Sequence, residues 1–222
     1  GITGNLSKAI SYCEGEYIAL AAGDDISFSN RIEKCIDFLE SNSDCSLVFT
    51  NVSLIDSASN LISKNKYSNP KYCRRISDIG YLFSPPIWAL GASIVFKRIL
   101  SDEFDDFLPG TFQEDGVLAF RGVLVNGVEF LNESLVKYRI HGNNVSQNLD
   151  VGKKVKFKQR DIRLLDNMIR DVLTRRPSDF SLFFKLATHK ALKVFTVRLL
   201  ANEYVAKVIF KISGVKRLFI NL

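Results

Sequence analysis

Glu14-Gly15-Glu16-Tyr17-Ile18-Ala19-Leu20-Ala21-Ala22-Gly23-Asp24-Asp25 is the stretch on which the reading of this chain turns. Tyr17 to Ala22 is a short, nearly continuous apolar run, the pattern of a strand buried on both faces. Ahead of it, Leu6, Ala9, Ile10 and Cys13 recur at i, i+3, i+4 and i+7, one face of a helix. Asn5 is placed to cap that helix and Gly15 to end it. A helix followed by such a run predicts a parallel strand in an α/β sheet. Two adjacent carboxylates then stand at the strand's C-terminal end, where open α/β sheets place their sites.

Outward from there the same alternation continues. Asn30 with Glu33 has capping-box spacing, and Ile32, Cys35, Ile36 and Leu39 give the next helix its apolar face. Ser46 to Ile55 reads as a strand with Leu47 to Thr50 at its core. Residues 57–74 are polar and read as a surface excursion. Ile76 to Phe83 predicts a short helix stopped by Pro85-Pro86, and Ala92 to Phe96 another strand. Glu114-Asp115 opens a helix to about Val125, with Val117, Leu118, Phe120 and Leu124 on its apolar face and Asn126-Gly127 at its end. Val128 to Leu131 and Leu135 to Ile140 read as the last two strands.

From Val151 onward the pattern is helical. Ile162, Leu165, Met168, Ile169 and Val172 form one stripe, Pro177 breaks it, and Ser178 can cap the next helix. A final stripe of Val205, Val208, Ile209 and Ile212 is opposed by Lys207 and Lys211. The expected organisation is an α/β domain over residues 1–148 and a basic helical region over 149–222. Charge divides at nearly the same place. Residues 1–150 hold 13 Lys and Arg against 19 Asp and Glu, and the remainder 17 against 5. An acidic body with a basic tail suits an anionic membrane surface, and the tail's apolar stripes fit core packing too. The tail carries no nucleic-acid motif and no aromatic stacking pattern, so nucleic acid is not an expected partner.

No apolar run reaches the roughly 18 residues that span a bilayer. Cys13, Cys35, Cys45 and Cys73 lack CxxC spacing and histidine neighbours, which argues against a zinc site. They read as free buried thiols, Cys13 and Cys35 lying on apolar helix faces. Asn5, Asn51, Asn132 and Asn144 each begin an Asn-x-Ser sequon, discounted as a sign of secretion. The only methionine is Met168 and Gly1-Ile2-Thr3-Gly4 runs straight into a helix, so the expectation is a fragment.

Three constellations carry chemistry. Asp24-Asp25 are like charges side by side, best tolerated where a cation neutralises them, and a hard divalent ion takes carboxylate and phosphate oxygens together. The plainer reading is a solvated acidic turn before a helix. Glu114-Asp115 offers a general base for a hydroxyl, or simply favourable negative charge at a helix start. Tyr138-Arg139-Ile140-His141 leads into Gly142-Asn143-Asn144-Val145-Ser146. There His141 can ligate a metal and Arg139 meet a phosphate, or both can be solvated.

Taken in order, these pieces resemble a known family. Gly4-Asn5, the Gly15-Glu16-Tyr17-Ile18 strand, Gly23-Asp24-Asp25, Trp88-Ala89-Leu90-Gly91-Ala92-Ser93, Phe96-Lys97-Arg98, Glu114-Asp115 with Arg121, and Tyr138 through Ser146 closely resemble family-2 glycosyltransferases over residues 1–148. The resemblance implies a GT-A fold, Rossmann-like, with a mostly parallel sheet flanked by helices. Here it lacks the first β-α units that hold the nucleotide base, and a C-terminal helical region follows. It implies a nucleoside-diphosphate sugar as donor, Mn²⁺ or Mg²⁺ as cofactor, and inverting transfer to a hydroxyl of a glycan or lipid-linked acceptor.

Carried over by position, Asp25 is the main metal ligand. Asp24 assists at metal, ribose or sugar, His141 lies near the metal and diphosphate, and Arg139 belongs to the donor site. Asp115 is the base and Glu114 stands beside it as an acceptor contact. Trp88 and Gly91 line the acceptor side. Gly23 stands where family members often carry another Asp, which leaves metal binding to the adjacent pair. The expected setting is bacterial surface-polysaccharide synthesis, in the cytoplasm and peripheral on the inner face of the plasma membrane. The alternative is a catalytically incompetent fragment acting as a binding or scaffold module.

Overall fold

The computed structural model describes residues 2–67, 89–141 and 151–201, apart from the side chains of Ile2, 151–158 and 199–201. Trp88, Cys73, the 76–83 helix, the 142–146 loop with Asn144, and the stripe from Val205 to Ile212 lie outside the described residues. The chain divides into two compact units. One comprises Gly4–Asp106 and Glu114–Gln147, the other Gly1–Thr3, Phe107–Gln113 and Asn148–Leu222.

The first unit holds one sheet of six strands among the described residues: β1 (Tyr17–Ala19), β2 (Ile26–Ser27), β3 (Leu47–Ile55), β4 (Leu61–Ser63), β5 (Ile94–Lys97) and β6 (Val128–Arg139). Their order is β1-β5-β3-β6-β2, with β4 paired to β3. The helices are α2 (Arg31–Ser41), α3 (Ile99–Asp102) and α4 (Glu114–Val125), preceded in the chain by α1 (Ile2–Ser11). A 3₁₀ turn over Gly91–Ser93 leads into β5.

This is the expected α/β class, with the strand directions refined. Only β3 and β6 are directly parallel neighbours among the described ladders. β5 runs antiparallel to both β1 and β3, and β2 antiparallel to β6. β1, β3 and β6 therefore point the same way, with a reversed strand between the first two. Their C-terminal ends share one edge of the sheet, where the sequence had placed Asp24-Asp25 and Arg139.

β3 is the centre of the core: Leu47, Val48, Phe49 and Val52 are fully buried. Such continuous burial is what a central strand covered on both faces requires. The α4 helix lies close to this strand because Gly122 has no side chain. A Cβ there would sit 2.6 Å from Val128 Cγ2 and 3.3 Å from Leu47 Cβ. Gly127 closes the helix with φ 139°, and its amide donates to the Gly122 carbonyl at 2.7 Å.

Several local expectations change. The two final strands are one, Val128–Arg139. Its register slips so that Thr50 faces Leu131 while Asn51 faces Ser134. Asn132 and Glu133 are extra there, polar side chains that mimic a turn in the sequence, and Leu135 is a further extra residue before Val52 faces Val136. The first helix begins at Ile2, which puts Asn5 inside it rather than at its cap. Asn30 makes no side-chain cap on α2. That helix buries Cys35 and Leu39 as expected and half-buries Ile36, but it buries Arg31 while Ile32 is exposed.

Cys13 is exposed; Cys35 and Cys45 are buried free thiols, and burial pushes the Cys35 thiol up to about 11. The polar stretch after β3 is not wholly a surface excursion. It forms β4 and then brings Tyr67 back, where buried Asn51 accepts from its amide at 3.1 Å and donates to its carbonyl at 2.7 Å. Asn51 is thus a structural asparagine, which accounts for its sequon.

In the second unit, α5 (Val151–Arg175) packs with α6 (Phe180–Ala201). Leu165, Met168 and Val172 are buried as expected, joined by Leu164. Buried Asn167 accepts from the Leu108 amide at 3.0 Å and donates to Thr111 Oγ1 at 2.7 Å, tying the 107–113 segment to α5. No helix among the described residues is long and apolar enough to cross a membrane.

Candidate functional site

Beyond β1 the chain stays tied to the sheet by the Leu20 amide, which donates to Ile94 at 3.0 Å. It then turns through Gly23-Asp24-Asp25 and enters β2. That short path aims the Asp25 carboxylate back at the end of β6. Asp25 Oδ1 accepts from the Arg139 amide at 2.8 Å. Its other oxygen, Oδ2, is buried and has no hydrogen-bond partner. A buried carboxylate oxygen without a donor is costly, and it points to a ligand that the polypeptide does not itself supply. Burial pushes the Asp25 carboxyl above its ordinary range, against the pull of the Arg139 amide.

Asp24 behaves differently. Its Oδ2 meets His141 Nε2 at 2.9 Å, and that hydrogen bond holds its carboxyl below the usual range. The predicted pair thus separates into a more exposed, easily ionised member and a more enclosed one. His141 stands beside the acidic turn, oriented by Asp24.

Arg139, expected to meet phosphate, makes a set of internal bonds. Its Nε donates to the Asp24 carbonyl at 2.8 Å, and one Nη donates to Asp56 O at 2.9 Å, Ser57 O at 3.2 Å and Ser59 Oγ at 3.0 Å. The guanidinium fastens the acidic turn to the turn that follows β3. That second turn is firm in its own right. Asp56 accepts from the amides of Ala58 and Asn60, and Ser59 adopts φ 69°.

Arg31, which sequence reasoning passed over, lies under the same turn. It is buried and donates to Ser27 Oγ at 3.0 Å, Leu20 O at 2.8 Å and Ile94 O at 3.2 Å. Burial lowers its pKa, opposed by the charges of Cys35 and Asp25. The available signal was a cation at the first helical position, four residues before Cys35 and eight before Leu39.

The second carboxylate pair opens α4. Asp115 Oδ1 accepts from the Gly116 amide at 2.7 Å, and the Gly91 amide also donates to this carboxylate. Gly91 therefore touches the proposed base itself. A Cβ there would lie 3.4 Å from Glu114 Oε1 and 3.8 Å from Asp115 Cβ. Burial pushes Glu114 up to about 7, with the Asp115 charge adding to it. Burial raises Asp115 too, opposed by its amide donors and by Lys66. Lys66 reaches this place because its amide bonds to Val52 O at 2.8 Å and Tyr67 is pinned by Asn51. Its ammonium lies 5.4 Å from the ring centroids of both Tyr67 and Tyr138. Although the residue is exposed overall, desolvation lowers its pKa. Burial pushes the Tyr67 hydroxyl to about 12.

The end of β6 borders both pairs. Tyr138 packs its ring against Lys66, which faces Asp115, and the next residue, Arg139, bonds to Asp25. Arg121 is elsewhere. It is buried, donates to Asp105 O at 2.6 Å and lies 4.9 Å from the Phe104 ring centroid. Among the described residues no three His, Cys, Asp or Glu side chains gather in a metal-holding group. Trp88 and the loop after His141 fall outside the described residues.

No protein-family model matches this chain. It is 29% identical over 137 residues to an uncharacterized glycosyltransferase of Methanocaldococcus jannaschii, covering 60% of this chain and 45% of that protein. It is 30% identical over 142 residues to an uncharacterized glycosyltransferase of Rickettsia typhi, covering 61% of this chain and 43% of that protein. The chain spans less than half the length of these curated relatives.

Proposed function

We propose that this chain is part of a GT-A, family-2-like glycosyltransferase that moves a sugar from a nucleoside diphosphate to a hydroxyl of a glycan or lipid-linked acceptor. The observation that carries the reading is that two carboxylates border the end of β6, Asp25 through Arg139 and Asp115 through Lys66 beside Tyr138. Asp25 has a buried oxygen without a partner, and Asp115 is held in place by backbone amides. The relatives' names support the same class.

The orphaned oxygen of Asp25 beside Asp24 fits a hard divalent ion, Mg²⁺ or Mn²⁺, which commonly takes one or two carboxylates and completes its shell with substrate phosphate. When bound there, such an ion supplies charge neutralisation for the departing diphosphate. The chain's own residues do the rest. His141 orients Asp24, and Arg139 and Arg31 hold the turn. Asp115 accepts the proton of the acceptor hydroxyl as its oxygen attacks the anomeric carbon. The bond from that carbon to the diphosphate oxygen breaks with its electron pair on the leaving group, and the configuration inverts. Lys66 favours the ionised form of Asp115. Glu114, close to half protonated at neutral pH, can donate a hydrogen bond to an acceptor hydroxyl. Extension of a surface polysaccharide at the cytoplasmic membrane face is the setting this chemistry fits.

The test is calorimetry of UDP, GDP and dTDP binding to the full-length protein with and without Mn²⁺, alongside transfer assays. Metal-dependent nucleotide binding that is lost in Asp25→Asn supports the donor site. No binding of any of the three favours the incompetent module.

A further inference from the structure

The α6 helix is turned inside out relative to an ordinary packed helix. Two of its three lysines face its neighbour: Lys190 pairs with Asp166 at 2.6 Å and Lys193 with Asp161 at 2.8 Å, both on α5. Leu182 and Leu186 are buried on that same side. The opposite side carries its largest apolar groups into solvent. Phe180 is 66% exposed, Phe184 63%, Phe195 60% and Leu192 44%. With exposed Thr188 and Ala191 between them, they recur every three or four residues, one stripe along the helix. Phe180 to Phe195 extends about 22 Å at the α-helical rise. Large exposed apolar patches of this kind mark surfaces that are covered in use.

Charge says what covers this one. The α6 sequence contains Lys185, Lys190, Lys193 and Arg198 and no Asp or Glu. Lys185 and Arg198 are exposed, Lys185 beside Phe184 in the chain and Arg198 one turn beyond Phe195. Arg175 and Arg176 are exposed just before the helix begins. Aromatic anchors among cations, with Asp179 at the helix start engaged by the Leu182 amide, match an anionic bilayer surface, where rings enter the headgroup boundary and cations meet lipid phosphates. A second protein has no such need for uniform positive charge.

We infer that α6 lies in the plane of an anionic membrane, seating Phe180, Phe184, Leu192 and Phe195 among the lipids. This stands apart from the chemistry at Asp25 and Asp115. The full-length protein is pelleted with vesicles of phosphatidylcholine alone or of phosphatidylcholine and phosphatidylglycerol in equal parts. The wild type is expected to pellet with the anionic vesicles. The variant Phe180→Ser/Phe184→Ser/Phe195→Ser should partition roughly tenfold less or weaker. Lys185→Gln/Arg198→Gln should weaken binding and flatten its salt dependence. Circular dichroism and metal-dependent nucleotide binding check that each variant is folded. Wild type that ignores anionic vesicles, a triple-serine variant that still binds them, or equal binding to neutral vesicles each overturns the inference. So does a wild-type dimer that the serine variant dissociates while neither pellets with lipid, since a second copy would then be the cover.

Discussion

Two pairs of neighbouring carboxylates sit at this site and the fold treats them in opposite ways. Asp24-Asp25 lies on a turn, and its members are pulled apart: the hydrogen bond to His141 lowers Asp24 while burial raises Asp25. Glu114-Asp115 lies at the start of a helix, and burial raises both members, Glu114 to about 7. Identical chemistry in sequence becomes two different tools. On the turn, Asp24 is left near water and easily ionised while Asp25 is enclosed. At the helix start both members are enclosed, an environment that favours the protonated form of a carboxyl.

The largest expected break in this contrast comes from Asp115→Asn. It removes the proton acceptor and should lower transfer by about 10²- to 10⁴-fold while nucleotide binding persists. Asp25→Asn should do the reverse, abolishing metal-dependent nucleotide binding in calorimetry before any step of transfer. If both variants lose only nucleotide binding, the two pairs are not divided in role.

Glu114→Gln separates function from stability. A raised carboxyl pKa means that the folded chain binds a proton more tightly than the unfolded one. The stability from Glu114 is therefore full below pH 4.5 and is lost as pH rises to about 7. Across that window this group costs the wild type up to about 3 kcal/mol, from the size of the shift. The glutamine variant should lack that decline, so urea unfolding at pH 5 and pH 8 should differ less than in the wild type. An unchanged difference would mean that Glu114 titrates normally.

Lys66→Met should raise Asp115 further. The acidic limb of the transfer profile should then move to higher pH, because a nearby positive charge that favours the ionised carboxylate is gone. His141→Ala is the smallest expected change. The half-exposed His141–Asp24 pair is screened by water, so unfolding stability should shift by less than about 1 kcal/mol. The pH dependence of metal affinity should shift as Asp24 loses its partner.

Much of this site was legible before the fold. Asp24, Asp25, Glu114, Asp115 and His141 were named from residue type and position, and the structure brings them to the C-terminal edge shared by β1, β3 and β6. What escaped was the support. Arg31 was passed over and Lys66 fell within the polar excursion, since neither local period nor composition tells which cation the fold places beside a carboxylate. Arg139 was legible as a site residue. Its bonds to the Asp24, Asp56 and Ser57 carbonyls were not, because backbone acceptors leave no trace in side-chain identity.

The sequence by itself determined the α/β alternation, the place of the acidic turn after a short strand, and the helical basic end. These follow from periods and caps that act over a few residues. That strand buries Ile18 but exposes Ala19, so the expected cover on both faces is not found. Tertiary structure alone decided that β5 runs backwards between β1 and β3, that α2 buries Arg31 rather than Ile32, and that α6 turns its phenylalanines outward. Each of those depends on which partner a face meets, and that partner comes from far along the chain. Local pattern fixes that a residue has a face; only packing fixes what the face meets.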